Sequence, residues 1–328
     1  MFPKKRLRRL RKSDGMRRLV QESRLSVDDL VYPILIGEGL SEPQTTKSMP
    51  DIQIMPPHMI HDEMQKIQED GISAVMLYGI PQRKDGIGSS AYDKDGVVQN
   101  AIRETRRSTP DMVIMADVSM CQYTDTGHCG IYGKDTVDND ATIRYLGEIA
   151  ASYAKVGVDV VSPSAMMDGQ VAAIRSRLDD EGYTNVTIMS QSAKHHSSLY
   201  APFRDTADCA PKWGDRSEYQ ISYTNSRQAM LEVASDIAEG ADIIMIKPAA
   251  MYLDLVAESR RRFDVPIAAY SASGEYALVH AAHTQGLIDK DAVILEMLGS
   301  IKRAGADIIV TYFAPEVSRL LRRTGGQD

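Results

Sequence analysis

Two lysines close apolar runs: Lys247 ends ADIIMIK (241–247) and Lys194 ends VTIMSQSAK (186–194). Both runs read as buried strands, and carrying an ammonium into a buried position costs several kcal/mol. Either each amine passes the strand end and reaches water, or it is held in a site. Neighbouring strands lie about 4.8 Å apart, so two such lysines on adjacent strands bring their amines together. Desolvation and like-charge repulsion then both favour the neutral amine, the nucleophile that forms a Schiff base with a ketone. One such amine implies one imine. Two imply a pair of carbonyl substrates, or one substrate and a proton shuttle.

The residues after Lys194, HHSSLYAPFRDTADCAPKWGDRSEYQISY (195–223), show neither helical nor strand periodicity. A loop of that length in a compact domain is usually functional or disordered. It carries the only tryptophan, Trp213, and two arginines, Arg204 and Arg216, whose planar forks suit carboxylates. It reads as a lid that clamps an acid and excludes water; the plainer alternative is two solvated arginines. In DVSMCQYTDTGHCG (117–130), Cys121, His128 and Cys129 are zinc candidates, but the Cys-x7-Cys spacing is weak and a third thiolate is missing. His195 and His196 read as proton shuttles or as polar loop residues, and His58 and His61 as structural residues at a helix start.

Eight β-rich runs position these groups: 30–36, 72–80, 112–120, 158–164, 186–194, 242–248, 266–273 and 306–315. Most are continuously apolar rather than alternating, the pattern of parallel strands covered on both faces. Helix-period stretches such as 138–157 and 224–240 separate them; in the second, Met230, Val233, Ala234, Ile237 and Ala238 share a predicted inner face and Gly240 ends the helix. The phrases DGISAV, VGVDVV, EGADIIM and AGADIIV repeat one device, a helix-stopping glycine followed by a strand. Eight βα units predict a closed (β/α)8 TIM barrel, residues 29–328, preceded by an extended or helical arm, residues 1–28; a doubly wound open sheet is the alternative. In a barrel, chemistry belongs at the strand C-terminal ends. There stand Asp117 and Ser119 on strand three, Ser162 and Ser164 on strand four, Lys194 on five, Lys247 on six, Tyr270 and Ser273 on seven, and Tyr312 on eight.

Of the 328 residues, 43% are hydrophobic and 25% charged, enough for one large core. No apolar run is long enough to span a bilayer, and the first residues lack the apolar stretch of a secretory signal, so a cytoplasmic protein is expected. Three cysteines, an odd and sparse count, imply reduced thiols. Residues 1–18 hold nine Lys or Arg against one acid, leaving 29 basic and 44 acidic residues in the rest. A basic arm on so acidic a body is read first as packing against a neighbouring subunit; nucleic acid would be repelled by everything except the arm.

With these residues in view, the sequence resembles the porphobilinogen synthase (5-aminolaevulinic acid dehydratase) family over essentially its whole length. The motifs that carry the resemblance are SMPDIQ (48–53), YGIP (78–81), SPSAMMDGQ (162–170), SAKHHSSLYAPFRDTADCAP (192–211), GDRSEYQ (214–220), IMIKPAAMYLD (244–254), YSASGEY (270–276) and TYFAPE (311–316). The resemblance implies a (β/α)8 barrel with an N-terminal arm, assembled as a homo-octamer. It implies a lyase that condenses two 5-aminolaevulinate molecules into porphobilinogen with loss of two waters, in tetrapyrrole synthesis. Lys247 resembles the lysine that holds one substrate as a Schiff base, and Lys194 the lysine assigned to the other. Arg204 and Arg216 match arginines on one substrate's carboxylate, Ser273 and Tyr312 the hydroxyls on the second carboxylate. Tyr270 is placed beside that second site and Asp117 on the catalytic floor. Glu232 matches an allosteric magnesium ligand. Zinc-using members carry three cysteines in the 117–130 loop; here the first is Ser119, leaving Cys121 and Cys129, so catalytic zinc is not expected. An aldolase acting on sugar phosphates would instead need a phosphate-binding glycine loop near strands seven and eight, where YSASGEY and TYFAPE offer hydroxyls.

Overall fold

The computed structural model describes residues 4–325. Ten strands are formed: β1 Leu30–Gly37, β2 Gln44–Thr45, β3 Gln53–Met55, β4 Ala74–Ile80, β5 Val113–Val118, β6 Val160–Pro163, β7 Thr187–Lys194, β8 Ile243–Lys247, β9 Ile267–Ser271 and β10 Ile308–Thr311. Eight of them close a parallel barrel in the order β1-β4-β5-β6-β7-β8-β9-β10, with β10 pairing back onto β1 through Leu30↔Ile309 and Val31↔Val310. The barrel reading therefore holds over the open sheet. Two short strands were not expected: β3 joins β1 in parallel and β2 pairs antiparallel with β3, outside the closed barrel.

Helices α1 Asp14–Leu19, α2 Ile60–Glu69, α3 Val97–Ser108, α4 Asn139–Ala154, α5 Gln170–Asp180, α6 Ala201–Thr206, α7 Ser226–Ala238, α8 Leu253–Arg262, α9 Ser273–Thr284, α10 Lys290–Ala304 and α11 Ala314–Gly325 complete the chain. His58 lies in a 3-10 turn, Pro57–Met59, that leads into α2, and His61 in the first turn of α2.

The repeated glycine device is real. Gly71, Gly157, Gly240 and Gly305 all have positive φ (75°, 95°, 106° and 120°), which an L side chain resists. In three of the repeats the aspartate at the strand entry completes it. The carboxylates of Asp159, Asp242 and Asp307 each accept from a backbone N–H of the preceding strand, at Ile114, Ile188 and Ile267, all at 2.8 Å. The same three aspartates donate their own N–H groups back to the carbonyl oxygens of Ile114, Ile188 and Ile267. Three strand pairs are thus tied at the barrel's N-terminal face, where tight pairing serves stability and leaves the opposite rim for chemistry.

Two expectations need correction. The buried face of α7 is Ala229, Met230, Val233 and Asp236; Ala234 and Ala238 point outward. The helix is rotated because Asp236 turns inward to accept from the Ser190 hydroxyl at 2.6 Å, which makes a carboxylate tolerable at a core position. The segment 195–223 is also not structureless: a 3-10 turn at Ser198–Tyr200 leads into α6, which carries Arg204.

Candidate active site

A local irregularity in β7 sets the centre of the site. Met189 and Ser190 pair with Ile243 and Ile244 of β8, but Ala193 and Lys194 pair with Ile246 and Lys247. Three steps along β7 thus match two along β8. Without that bulge Lys194 would face Pro248, and a one-residue slip would turn its side chain to the other side of the wall. With it, the two lysines are direct partners at the C-terminal rim.

Their surroundings differ. Lys194 is buried and donates from Nζ to the Ser164 carbonyl oxygen at 2.5 Å. Lys247 keeps partial exposure to the cavity, with Nζ 3.9 Å from the ring centre of Tyr270 and 5.7 and 5.9 Å from those of Tyr200 and Tyr78. Burial, followed by the positive charge of Lys194, brings the Lys247 pKa down to about 7, against the opposing pull of Asp117. Asp117, itself buried, accepts from the Gln191 amide at 3.2 Å; burial raises its pKa while both lysines lower it.

A narrow cavity opens over these groups. All eight residues expected to act in catalysis or substrate binding line it: Lys194, Lys247, Arg204, Arg216, Ser273, Tyr312, Tyr270 and Asp117. Arg216 is buried and donates from Nη2 to the carbonyl oxygens of Gly127 and Cys209, at 2.9 and 2.5 Å, joining the 117–130 loop to the lid. Its Nε, with Nε and Nη2 of Arg204, has no hydrogen-bond partner. Buried guanidinium N–H groups left unpaired are costly, and an anionic ligand would satisfy them. Ser273 is already engaged: its hydroxyl donates to the Leu199 carbonyl oxygen and accepts from the Phe203 N–H, both at 3.1 Å. The lid is therefore seated on the start of α9. Gly274 permits this, since a Cβ there would lie 2.5 Å from the Cα of Leu199.

The other candidates fall elsewhere. His128 is hydrogen-bonded to the Tyr219 hydroxyl and the Trp213 carbonyl oxygen, both at 3.1 Å, within an aromatic cluster. His195 stacks on Tyr252 with ring centres 4.1 Å apart and, like His196, lines a different cleft. Glu232 lies on α7 in a separate surface depression with Asp168, Asp236 and Glu239. Burial first, then those three carboxylates, raise its pKa. Cys121 reaches the cavity, near the Ser119 hydroxyl at 3.3 Å and the Gln122 side-chain oxygen at 3.2 Å.

Sequence reasoning missed a third thiol in this cluster. Cys209, from the lid, is buried like Cys121 and Cys129, and the three thiols lie close enough to influence one another electrostatically. The two segments are zipped together by the Lys212 N–H on the Thr126 carbonyl oxygen and by close packing of Gly127 on Ala210. Tyr78, Tyr200 and Phe203, which wall the cavity, were also missed: Tyr78 looks like core within its strand, and Tyr200 and Phe203 sit on helical turns too short to show a period.

The closed parallel barrel and its rim of paired amines, arginine forks and hydroxyls define a barrel enzyme of carbonyl chemistry. Residues 4–320 match the family model described as delta-aminolevulinic acid dehydratase. The chain is 47% identical to the delta-aminolevulinic acid dehydratase of Archaeoglobus fulgidus over 98% of this chain and 99% of that one. It is 45% identical to that of Halalkalibacterium halodurans over 97% of each. Among solved structures, the Toxoplasma gondii ME49 enzyme, in complex with its reaction product porphobilinogen, superposes with a TM-score of 0.96 at 37% identity, covering 99% of this chain and 94% of that one. The chain belongs to the delta-aminolevulinic acid dehydratase family. It is a hydro-lyase whose activity is the condensation of two 5-aminolaevulinate molecules to porphobilinogen with loss of two waters.

Proposed function

We propose that this condensation runs on the paired amines, with Lys247 holding one 5-aminolaevulinate as a Schiff base and Lys194 the other. The observation that carries this reading is the register pairing of Lys194 with Lys247 at the cavity floor. A neutral Lys247 amine attacks the ketone carbon of its substrate, the carbinolamine loses water, and the resulting imine acidifies the neighbouring C–H bonds. Arg204 and Arg216, with unpaired N–H groups over the cavity, take one substrate's carboxylate. Ser273 and Tyr312 take the other, Ser273 exchanging its bond to Leu199 for one to the ligand. Tyr270 packs against Lys247, and Asp117, buried on the cavity floor, is the counter-charge that both amines feel. Closure of the lid, about residues 195–223, keeps water from the imines.

Metals enter at the edge of this scheme. Among the described residues no three His, Cys, Asp or Glu side chains converge so as to hold a metal ion. With Ser119 where zinc-using members carry a third cysteine, Cys121 and Cys129 are a weak thiolate pair, so no step is assigned to zinc. Magnesium is different, because one carboxylate and retained waters make a normal shell. Glu232, crowded by Asp168, Asp236 and Glu239, would be relieved by a dication, which we assign an allosteric role.

The arm, residues 1–28, is the assembly element of a homo-octamer and residues 29–328 the catalytic barrel. The ligands are small oxo acids rather than nucleic acid or membrane: no helix among the described residues is long and apolar enough to cross a membrane, and the reading is of a cytoplasmic enzyme. Incubation with 5-aminolaevulinate followed by a pyrrole assay tests the activity. Borohydride trapping with peptide mapping tests the lysines; a K247A protein that still acquired substrate mass would refute the Lys247 assignment.

A further inference from the structure

Glu275 is buried, with 4% of its surface exposed, and its partners are backbone N–H groups rather than a cation. It is the third residue of α9. One carboxylate oxygen accepts from the Ala272 N–H at the head of its own helix, which alone would be an ordinary capping arrangement. The other oxygen accepts from the Ala250 N–H at 2.5 Å, in the loop that leaves β8 three residues after Lys247. A single carboxylate therefore bridges two neighbouring loops at the catalytic rim. One begins at Lys247; the other leads into Ser273.

We propose that Glu275 is a positioning residue that fixes the span between the amine of Lys247 and the hydroxyl of Ser273, and so selects oxo acids by the distance between carbonyl and carboxylate. This rests on the reading that these groups hold the two ends of one substrate. In 5-aminolaevulinate the ketone is carbon 4 and the carboxylate carbon 1, so both ends bind together only if the two loops are held in one relation. Glutamate suits the task better than its relatives. Glutamine caps the helix equally well, but its amide presents an NH2 to one of the two N–H donors and loses that tie; aspartate lacks the length to reach both. Glu275 does not line the cavity and touches no reacting atom. Its effect is carried by the backbone of residues 247–250 and 272–273.

The test uses the full chain and two probes, 4-oxopentanoate, which keeps the substrate's spacing, and 5-oxohexanoate, which is one methylene longer. Each condenses with the lysine amine with loss of water. Borohydride then delivers hydride to the imine carbon and solvent a proton to nitrogen, leaving a stable secondary amine for peptide mapping. The native protein is expected to be labelled at Lys247 with a preference for the shorter acid of about tenfold or more, the usual weight of one methylene. In E275Q that preference collapses toward unity while labelling persists. Circular dichroism checks the fold, and E275D makes the same prediction if E275Q does not fold. Labelled variants that retain the native ratio would overturn the inference alone. Native protein in which Lys247 stays unlabelled would overturn the imine assignment and the span with it.

Discussion

Lys194 donates to the carbonyl oxygen of Ser164 at 2.5 Å, whereas Lys247, its register partner, lies over the ring of Tyr270 at 3.9 Å. The aromatic walls leave Lys247 little hydration. The two lysines thus meet different surroundings, and burial followed by the charge of Lys194 brings the Lys247 pKa down to about 7.

Imine formation at Lys247 should follow that value. Only the unprotonated amine attacks, so borohydride trapping of 4-oxopentanoate at Lys247 should rise with pH, level off above about 7, and fall about tenfold per unit below the midpoint. The charge of Lys194 is the second cause of the depression, after burial. In K194M the ammonium of Lys247 is less opposed, its pKa rises, and the trapping midpoint moves to higher pH. An unchanged midpoint in K194M would mean the amines do not sense each other.

The lid arginines should separate kinetically. Arg204 has two unpaired N–H groups and its guanidinium stands 5.8 Å from the ring centre of Tyr200. Its loss in R204A removes charge-assisted hydrogen bonding to a carboxylate, about 1.5–3 kcal/mol if one such bond is lost net, so KM for 5-aminolaevulinate should rise about ten- to hundredfold. Arg216 also holds the Gly127 and Cys209 carbonyl oxygens. R216K keeps the charge but loses the fork, and should lower kcat as well as raise KM because the lid is no longer tied down. Steady-state kinetics of the two variants, run side by side, check the split.

Metal dependence should divide between two places. Protein purified without chelator should contain zinc well below one equivalent by elemental analysis; stoichiometric zinc would show that Cys121, Cys129 and Cys209 rearrange around it, and a C209A variant would then lose it. Magnesium should stimulate the native enzyme and leave E232A unstimulated, with residual activity little changed, since Glu232 lies outside the catalytic cavity. Titration of activity against magnesium checks this.

Much of this site was legible from one-dimensional signals. Parallel strands buried on both faces must be apolar throughout, which is why a lysine at the end of ADIIMIK is conspicuous. A glycine that must take positive φ between helix and strand also recurs in readable form at Gly71, Gly157, Gly240 and Gly305. What stayed hidden depends on partners distant in the chain. Asp236 reads as the polar side of α7 until Ser190 is seen facing it. Cys209 reads as a stray thiol until the lid folds onto Cys121. The bulge between Ser190 and Ala193 leaves no trace in QSA, yet it decides whether Lys194 faces the cavity. The six-residue α6 is too short for periodicity to reveal.

The arm offers a test of assembly. Its 3-10 helix Leu7–Arg11 and helix α1 contain no buried residue, and Leu7, Leu10 and Leu19 are 62%, 49% and 75% exposed. Leucines on a basic segment with no cover from their own chain fit burial against another subunit, and the net charge of the remaining residues, 29 basic against 44 acidic, supplies the attraction. Deleting residues 1–18 should reduce the assembly from octamer to smaller species by analytical ultracentrifugation, while each barrel keeps its folded circular dichroism spectrum. Raising the salt should loosen the full-length assembly in the same direction, since exposed charge pairs are screened within about 10 Å at 0.1 M ionic strength. A truncated protein that sediments as the full-length protein does would remove the arm from assembly and leave its charge unexplained.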